Sequence, residues 1–422
     1  MAGEASGMKS LGSSGVLYND RRDFYIRPNV VKELWTDVAP FLTVVANQST
    51  ISGMADPTFK MFEHRNPWQK QELVLDAGDN IASSSGIAIG KNLIGLECEV
   101  WEDAYASKKG VILITSIADD GSALVKKDLS SDAVTLADTD ILIVVGNAQA
   151  EGSRSPKAWS DELEVVYNST QIFKTPLQIT GTLLQASLRG ESKELARLRD
   201  QKSAEHKIQK ERAFLFGSNP KGIKGSGADG FAGIENVSND DGVVRSTMGI
   251  IPALEKHGVK TGYSQNIFAS TDVDSYSDFV DAMEKIFQYV PTAGMKRAFV
   301  GAGALGYWSK LGNTSNGTTF ADNSGWVVNL GDMKRDALGF NYRVLETPHG
   351  MLQMIPTPAL RGPYNKHMVI VDSENLFHAQ YRAPQFQASI QENDADYVKD
   401  QYFSDEGVGI SMIESHALMV TP

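Results

Sequence analysis

The sequence predicts an α+β fold, and three observations carry that class. Residues 191–216, ESKELARLRDQKSAEHKIQKERAFLF, hold no Pro or Gly and read as one long helix. Residues 109–146 alternate apolar and polar positions between turn signals, the pattern of an antiparallel β-module. The second half mixes short apolar strands with an amphipathic helix and lacks the repeated βα alternation of a doubly wound sheet.

The elements follow in order. MAGEASGMKSLGSSG is small and polar, with one lysine, and reads as a flexible tail and not a signal peptide. Val30–Gln48 (VVKELWTDVAPFLTVVANQ) predicts a short helix halted by Pro40, then an apolar segment in need of a partner surface, the character of an arm. Asp56–Trp68 (DPTFKMFEHRNPW) reads as an exposed strand that breaks at Pro67. Leu73–Gly90, rich in Gly, Ala, Ser and Asp, predicts a mobile loop. The β-module comes next as VILITSIA, a turn at Asp119-Asp120-Gly121, ALVKK, AVTL and DILIVVG. After the linker-like EGSRSP, LEVVYNSTQIFKTPLQITGTL returns to strand patterning and runs into the long helix. A hairpin arm carrying a small insert would produce this order, and so would two neighbouring sheets in one globule.

In the long helix, Leu195, Leu198 and Ile208 predict a thin apolar stripe, while twelve of the twenty-two residues from Glu191 to Arg212 are charged. At 1.5 Å per residue it would span roughly 40 Å, a strut crossing the subunit. Gly217–Gly233 is dense in Gly, Ser and Pro and marks a boundary. Beyond it, Asn266–Ser270 reads as a strand and Ser275-x-x-Asp278 as a capping box. Phe279, Met283, Ile286, Phe287 and Val290 then repeat at helical spacing. RAFVG, FNYRVLET, MLQMIPTP and MVIVD supply strands, and Ala388–Pro422 closes with two alternating segments around an acidic loop.

The chain of 422 residues is 41% hydrophobic and 22% charged, enough for two or three domains. Its longest purely aliphatic run, Ile141–Val145, falls far short of the roughly 20 residues a membrane helix needs. A net charge of -12 argues against a protein that grips nucleic acid along its surface. The charge is uneven: Leu188–Lys224 holds ten Lys or Arg against five acids, and Ile390–Pro422 holds seven acids and one lysine. Such blocks are either solvated faces or surfaces that pair between copies. The lone cysteine, Cys98, cannot close an internal disulfide, and its alternating context LIGLECEV predicts a buried, unreactive thiol.

Catalytic motifs are weak. Gly301-x-Gly303-x-x-Gly306 follows the strand-like RAFV and precedes a helix of roughly Ala304–Leu311, the context of an NAD-type dinucleotide site, with Asp322 at the spacing of a ribose contact. The bland alternative is a plain strand-turn-helix joint. Asp272, Asp274, Asp278 and Asp281 fail calcium-loop spacing, since the sixth position lacks Gly and the twelfth is Met283; they read as acids gathered at a helix amino terminus. The seven histidines show no zinc spacing, and no catalytic, cofactor or metal residue is assigned.

The order of parts carries more than any motif. WTDVAPFLTVV (35–45), DPTFKMFEHR (56–65), NAQAEGSRSP (147–156), YNSTQIFKTPLQITGT (167–182) and ERAFLFGS (211–218) together resemble a tailed-bacteriophage major capsid protein of the Hong Kong 97 fold, in the family with a β-insert in the extended loop. The resemblance implies an amino-terminal arm (1–55) and an extended β-hairpin loop (56–185) with a β-domain insert at about 101–150. It further implies a long spine helix with part of a peripheral domain (186–244), an axial domain (245–345) and a return to the peripheral domain (346–422). It implies a non-enzymatic virion protein, assembled in the host cytoplasm, that packs against itself as hexamers and pentamers into an icosahedral shell around double-stranded DNA held without sequence-specific binding. Separate scaffolding, portal and decoration proteins are the implied partners, with no cofactor and no membrane. Arg65 and Trp68 on the arm and Arg197, Arg199 and Lys202 on the spine are the expected subunit contacts. Two alternatives stand beside it: an NAD-dependent oxidoreductase using Gly301–Gly306, and an encapsulin-like shell around protein cargo.

Overall fold

The computed structural model describes residues 39–64, 72–76, 80–81, 93–118, 123–130, 133–155, 163–185, 194–218, 223–224, 243–260, 265–289, 294–313, 333–336, 338 and 340–422. The chain divides into two compact units, one running to Lys60 and again from Tyr167 to Pro422, the other Met61–Val166.

Along the chain come α1 (Pro40–Gln48), β1 (Thr50–Ser52) and β2 (Thr58–Glu63). Then follow β3 (Glu72–Asp76), β4 (Asn80–Ile81), β5 (Leu96–Trp101), β6 (Lys108–Ser116), β7 (Val125–Asp128) and β8 (Ile141–Asn147). Next are β9 (Glu164–Ser169), β10 (Gln171–Thr180), α2 (Gly181–Gln185), α3 (Glu194–Phe216), β11 (Ile223–Lys224), β12 (Val243–Val244) and α4 (Ile250–His257). The chain continues with β13 (Ile267–Phe268), α5 (Tyr276–Ile286), β14 (Met295–Val300), α6 (Ala302–Asn313), β15 (Lys334–Arg335), β16 (Asn341–Thr347) and β17 (Gly350–Pro356). It ends with β18 (His367–Val371), β19 (Leu376–Gln387), β20 (Tyr397–Ile410) and β21 (Ala417–Val420).

Among the described residues the first unit holds two large sheets and the short β11–β12 pair. One is seven-stranded, in the order β13-β21-β18-β14-β17-β16-β15, and both of its faces are buried. Alternation along β14 shows why: Ala298 and Val300 pack with Phe279, Met283 and Trp308 of α5 and α6, while Phe299 packs with Phe41, Phe214 and Leu254 of α1, α3 and α4. Covering on two sides explains the continuous apolar runs RAFV and MVIV. The other sheet is four-stranded, β1-β19-β20-β10.

Several local expectations give way here. Pro40 starts α1, because its fixed φ and missing N–H suit the first helical position, and the short helix expected before it lies outside the described residues. Phe41, Val44 and Val45 are fully buried in the chain's own core, so the described part of the expected arm does not project. Strand β19 went unseen, since LFHAQYRAPQFQ places a proline and an exposed run in its distal half.

The second unit is a six-stranded sheet, β4-β3-β8-β5-β6-β7, around Leu73, Leu75, Cys98, Ile112, Ile114 and Leu142. It is not a simple meander: β8 inserts between β3 and β5. Leu73 and Leu75, read as part of a mobile loop, are core positions of β3, whereas the AVTL segment carries no strand. Cys98 is buried as expected, and desolvation, with Glu97 beside it, pushes its thiol up to about 12. Strands β2 and β9 form a two-stranded ribbon through which the chain leaves and re-enters the first unit.

Candidate assembly interface

The long helix packs by polar contacts. Its expected stripe, Leu195, Leu198 and Ile208, is only half-buried; the buried positions are His206, Lys210 and Glu211, then Phe214 and Leu215. The partner surface dictates this. Strand β20 presents Ser404 and Glu406, both fully buried, and β10 presents Thr175, while Asp405 points to the opposite face of the sheet.

Each polar group in this seam has a role. His206 sits between Thr175 Oγ1 at 2.9 Å and Ser404 Oγ at 3.0 Å. Thr175 donates its one hydroxyl proton to Gln209 Oε1 at 3.1 Å, so it accepts from His206 Nδ1–H and leaves Nε2 to accept from Ser404. Burial, then the charge of Lys210, holds this imidazole neutral, its pKa lowered to about 4. Lys210 Nζ lies 3.1 Å from Glu406 Oε2, and His378 Nε2 lies 3.4 Å from the same oxygen. Burial alone would raise the Glu406 pKa, but His378 and Lys210 outweigh it and hold the carboxylate below its usual range. Arg382 donates from Nε and Nη2 to Asp405 Oδ2 at 3.3 and 3.1 Å while its guanidinium lies 4.4 Å from the Phe403 ring centre. The basic and acidic blocks therefore pair partly within one chain.

Of the expected contact residues, Arg65 and Trp68 lie outside the described residues. Arg199 donates from Nε and Nη2 to Asp400 Oδ2 at 2.9 and 2.7 Å and lies over the Phe386 ring, so it is engaged in its own chain. Lys202 pairs with Glu205 one turn on at 2.7 Å, and Arg197 is half-buried on α3. Sequence reasoning missed His206, Lys210, Glu211, His378 and Glu406. The one available signal was His206 and Lys210 at i, i+4, repeating at helical spacing as an apolar stripe would.

Apolar surface remains uncovered elsewhere. On the ribbon and beside it, Phe62 is 70% exposed, Leu163 57% and Val165 49%. A two-stranded ribbon is marginal by itself in water, and exposed aromatic and aliphatic side chains on one mark a surface to be covered.

The dinucleotide motif resolves as a packing joint. Helix α6 begins at Ala302, and its first amides are already taken: Gly303 N–H donates to Asn365 Oδ1 at 3.0 Å and Ala304 N–H to Asn365 O at 3.1 Å. A Cβ on Gly301 would fall 2.2 Å from Asn365 O, so this glycine admits the chain's own backbone where a pyrophosphate would sit. Asp322 lies outside the described residues. Two of these acids are capping residues: Asp278, in the first turn of α5, accepts from Ser275 Oγ at 2.6 Å, and Asp272, in the turn before it, accepts from the Ala269 amide at 3.0 Å.

Comparison with known proteins adds the decisive observation: the family model described as SU10 major capsid protein matches residues 37–420. The chain belongs to that family. It is a phage major capsid protein, a structural component of the virion shell. No curated protein matches it. Among solved structures, the capsid of a native GTA particle is 9% identical, covering 98% of this chain and 99% of that one, at a TM-score of 0.45. The capsid asymmetric unit of cyanophage A-1(L) is 7% identical over 93% and 95%, at 0.46. A holo-SrpI encapsulin complex from Synechococcus elongatus PCC 7942 is 6% identical over 61% and 77%, at 0.39. With scores this low the assignment rests on the family match.

Proposed function

We propose that this capsid protein assembles as hexamers and pentamers into an icosahedral head shell around double-stranded DNA, on the Hong Kong 97 fold. In this reading α3 is the spine helix, β2 and β9 are strands of the extended loop 56–185, and the β-insert at about 101–150 lies within the unit Met61–Val166. Residues 245–345 make the axial domain and 346–422 return to the peripheral domain. Scaffolding, portal and decoration functions fall to separate proteins, assembly takes place in the host cytoplasm, and the acidic wall leaves the packaged DNA unadsorbed. Arg65, Trp68, Arg197 and Lys202 contact neighbours, whereas Arg199 does so only by sharing its bond to Asp400.

The observation that carries this reading is the family match over residues 37–420, on both sides of the β2–β9 ribbon. The apolar exposure of Phe62, Leu163 and Val165 supports it. Negative-stain microscopy of the purified chain tests it, with rings, sheets or closed shells expected. A chain that stays monomeric at high concentration overturns it, and shells isolated with protein cargo in place of DNA overturn its cargo.

A further inference from the structure

We propose that the groove at the carboxyl end of α3 receives the acidic turn 390–396 of a second copy, joining subunits head to tail. This inference rests on the shell-forming reading and names a contact within it.

The groove, about 880 Å³, opens between α3 and the segment around Pro358–Tyr364. Ile208, Phe216 and Tyr364 form its apolar wall, the last two with ring centres 4.6 Å apart, and Arg212 and Arg361 stand exposed at its rim. Glu211 also lines it, but burial keeps that carboxyl uncharged at neutral pH, so it does not oppose an acidic occupant.

The turn is the chemical complement. It offers one exposed apolar side chain, Ile390, followed by the exposed carboxylates Glu392, Asp394 and Asp396. Three other acids of the same block, Asp400, Asp405 and Glu406, are already paired inside the chain. An apolar wall flanked by guanidinium groups accepts an apolar residue flanked by carboxylates, with hydrogen-bonded ion pairs at the rim setting register.

The two surfaces cannot meet within one subunit. Strand β10 separates them: Gln171 lines the groove, and Thr180 pairs with Tyr397 beside the turn, where Gly181 N–H donates to Asp396 O at 3.2 Å. Nine steps of antiparallel strand at about 3.4 Å place them about 30 Å apart on one rigid sheet. A contact between two different surfaces at opposite ends of a subunit is heterologous, and it closes into a ring when the rotation permits.

Charge exchange tests this. Reversing the turn (Glu392→Lys, Asp394→Lys, Asp396→Lys) or the rim (Arg212→Glu, Arg361→Glu) is expected to cut the assembled fraction, read by sedimentation, by about tenfold or more. A chain carrying both reversals regains assembly. The milder pair Asp394→Asn and Arg212→Gln guards against misfolding: their losses in assembly are expected not to add, because each removes the other's partner. Additive losses, or single reversals that assemble like the unaltered protein, overturn the contact and leave the shell reading standing. An unaltered protein that never assembles sinks both.

Discussion

Helices α3 and α5 both pack on the first unit, yet by opposite chemistry. Helix α5 opens with a capping box at Ser275 and buries Phe279, Ala282, Met283 and Ile286 at helical spacing in an apolar core. Helix α3 leaves Leu195, Leu198 and Ile208 half-buried and turns His206, Lys210 and Glu211 inward. The difference lies in the facing surface: α5 meets Ala298, Met354 and Met368, whereas α3 meets Thr175, Ser404 and Glu406. A helix advertises its buried face through an apolar stripe only when its partner is apolar.

The comparison breaks most readily at Lys210. Lys210→Ala removes the nearer cation from the buried Glu406 carboxylate and leaves it His378, and we expect a loss of about 3–5 kcal/mol in chemical unfolding. The double variant Lys210→Met, Glu406→Gln removes both charges and is expected to lose clearly less. A single variant costing no more than the double would mean that the ion pair does not organise the seam. On α5, Phe279→Ala is expected to lose a similar 3–5 kcal/mol, here through the cavity left beside Trp308, 4.2 Å away between ring centres. Equal losses of different origin separate on conservative replacement, since Phe279→Leu recovers much of its loss while Lys210→Arg must refit a larger fork into a full site.

This contrast also explains what could be read from the sequence. The α+β class, the capping box, helix α5 and strands β14, β17 and β18 were legible because local propensity and partner chemistry agree there. The long helix was legible in extent, from the absence of Pro and Gly, but not in orientation. Burial of Lys210 depends on Glu406, and that of His206 on Ser404, both nearly two hundred residues away. No window along the chain contains such a pairing. Strand β3 was lost for a similar reason, since the composition of its flanks masked the two leucines that anchor it.

Glu211 sharpens the comparison through pH. Burial raises its pKa from 4.5 to about 8, against the pull of the Leu42 and Phe41 amides at the start of α1. The folded state therefore holds a proton that the unfolded chain releases above about 4.5, so this group's stabilisation is complete at lower pH and is lost as pH climbs through 8. Thermal midpoints are expected to fall between pH 6 and about pH 9 in the unaltered protein, and to fall much less in Glu211→Gln. Parallel pH profiles for the two proteins would show that Glu211 titrates normally and that its seat against α1 is wet.

The smallest expected effect is the most discriminating. Leu198 belongs to the stripe that sequence reasoning placed at the heart of α3, yet it is only half-buried in the subunit. Leu198→Ala should cost less than about 1 kcal/mol of stability, because little area leaves water and Ala is the better helix former. A loss of 2 kcal/mol or more would mean that the stripe, and not the polar seam, seats the helix. If the leucines instead face a neighbouring copy, the same substitution weakens assembly while unfolding of the single subunit stays unchanged. The fold then owns the polar face of α3 and the shell owns the apolar one, reversing the usual division between core and surface.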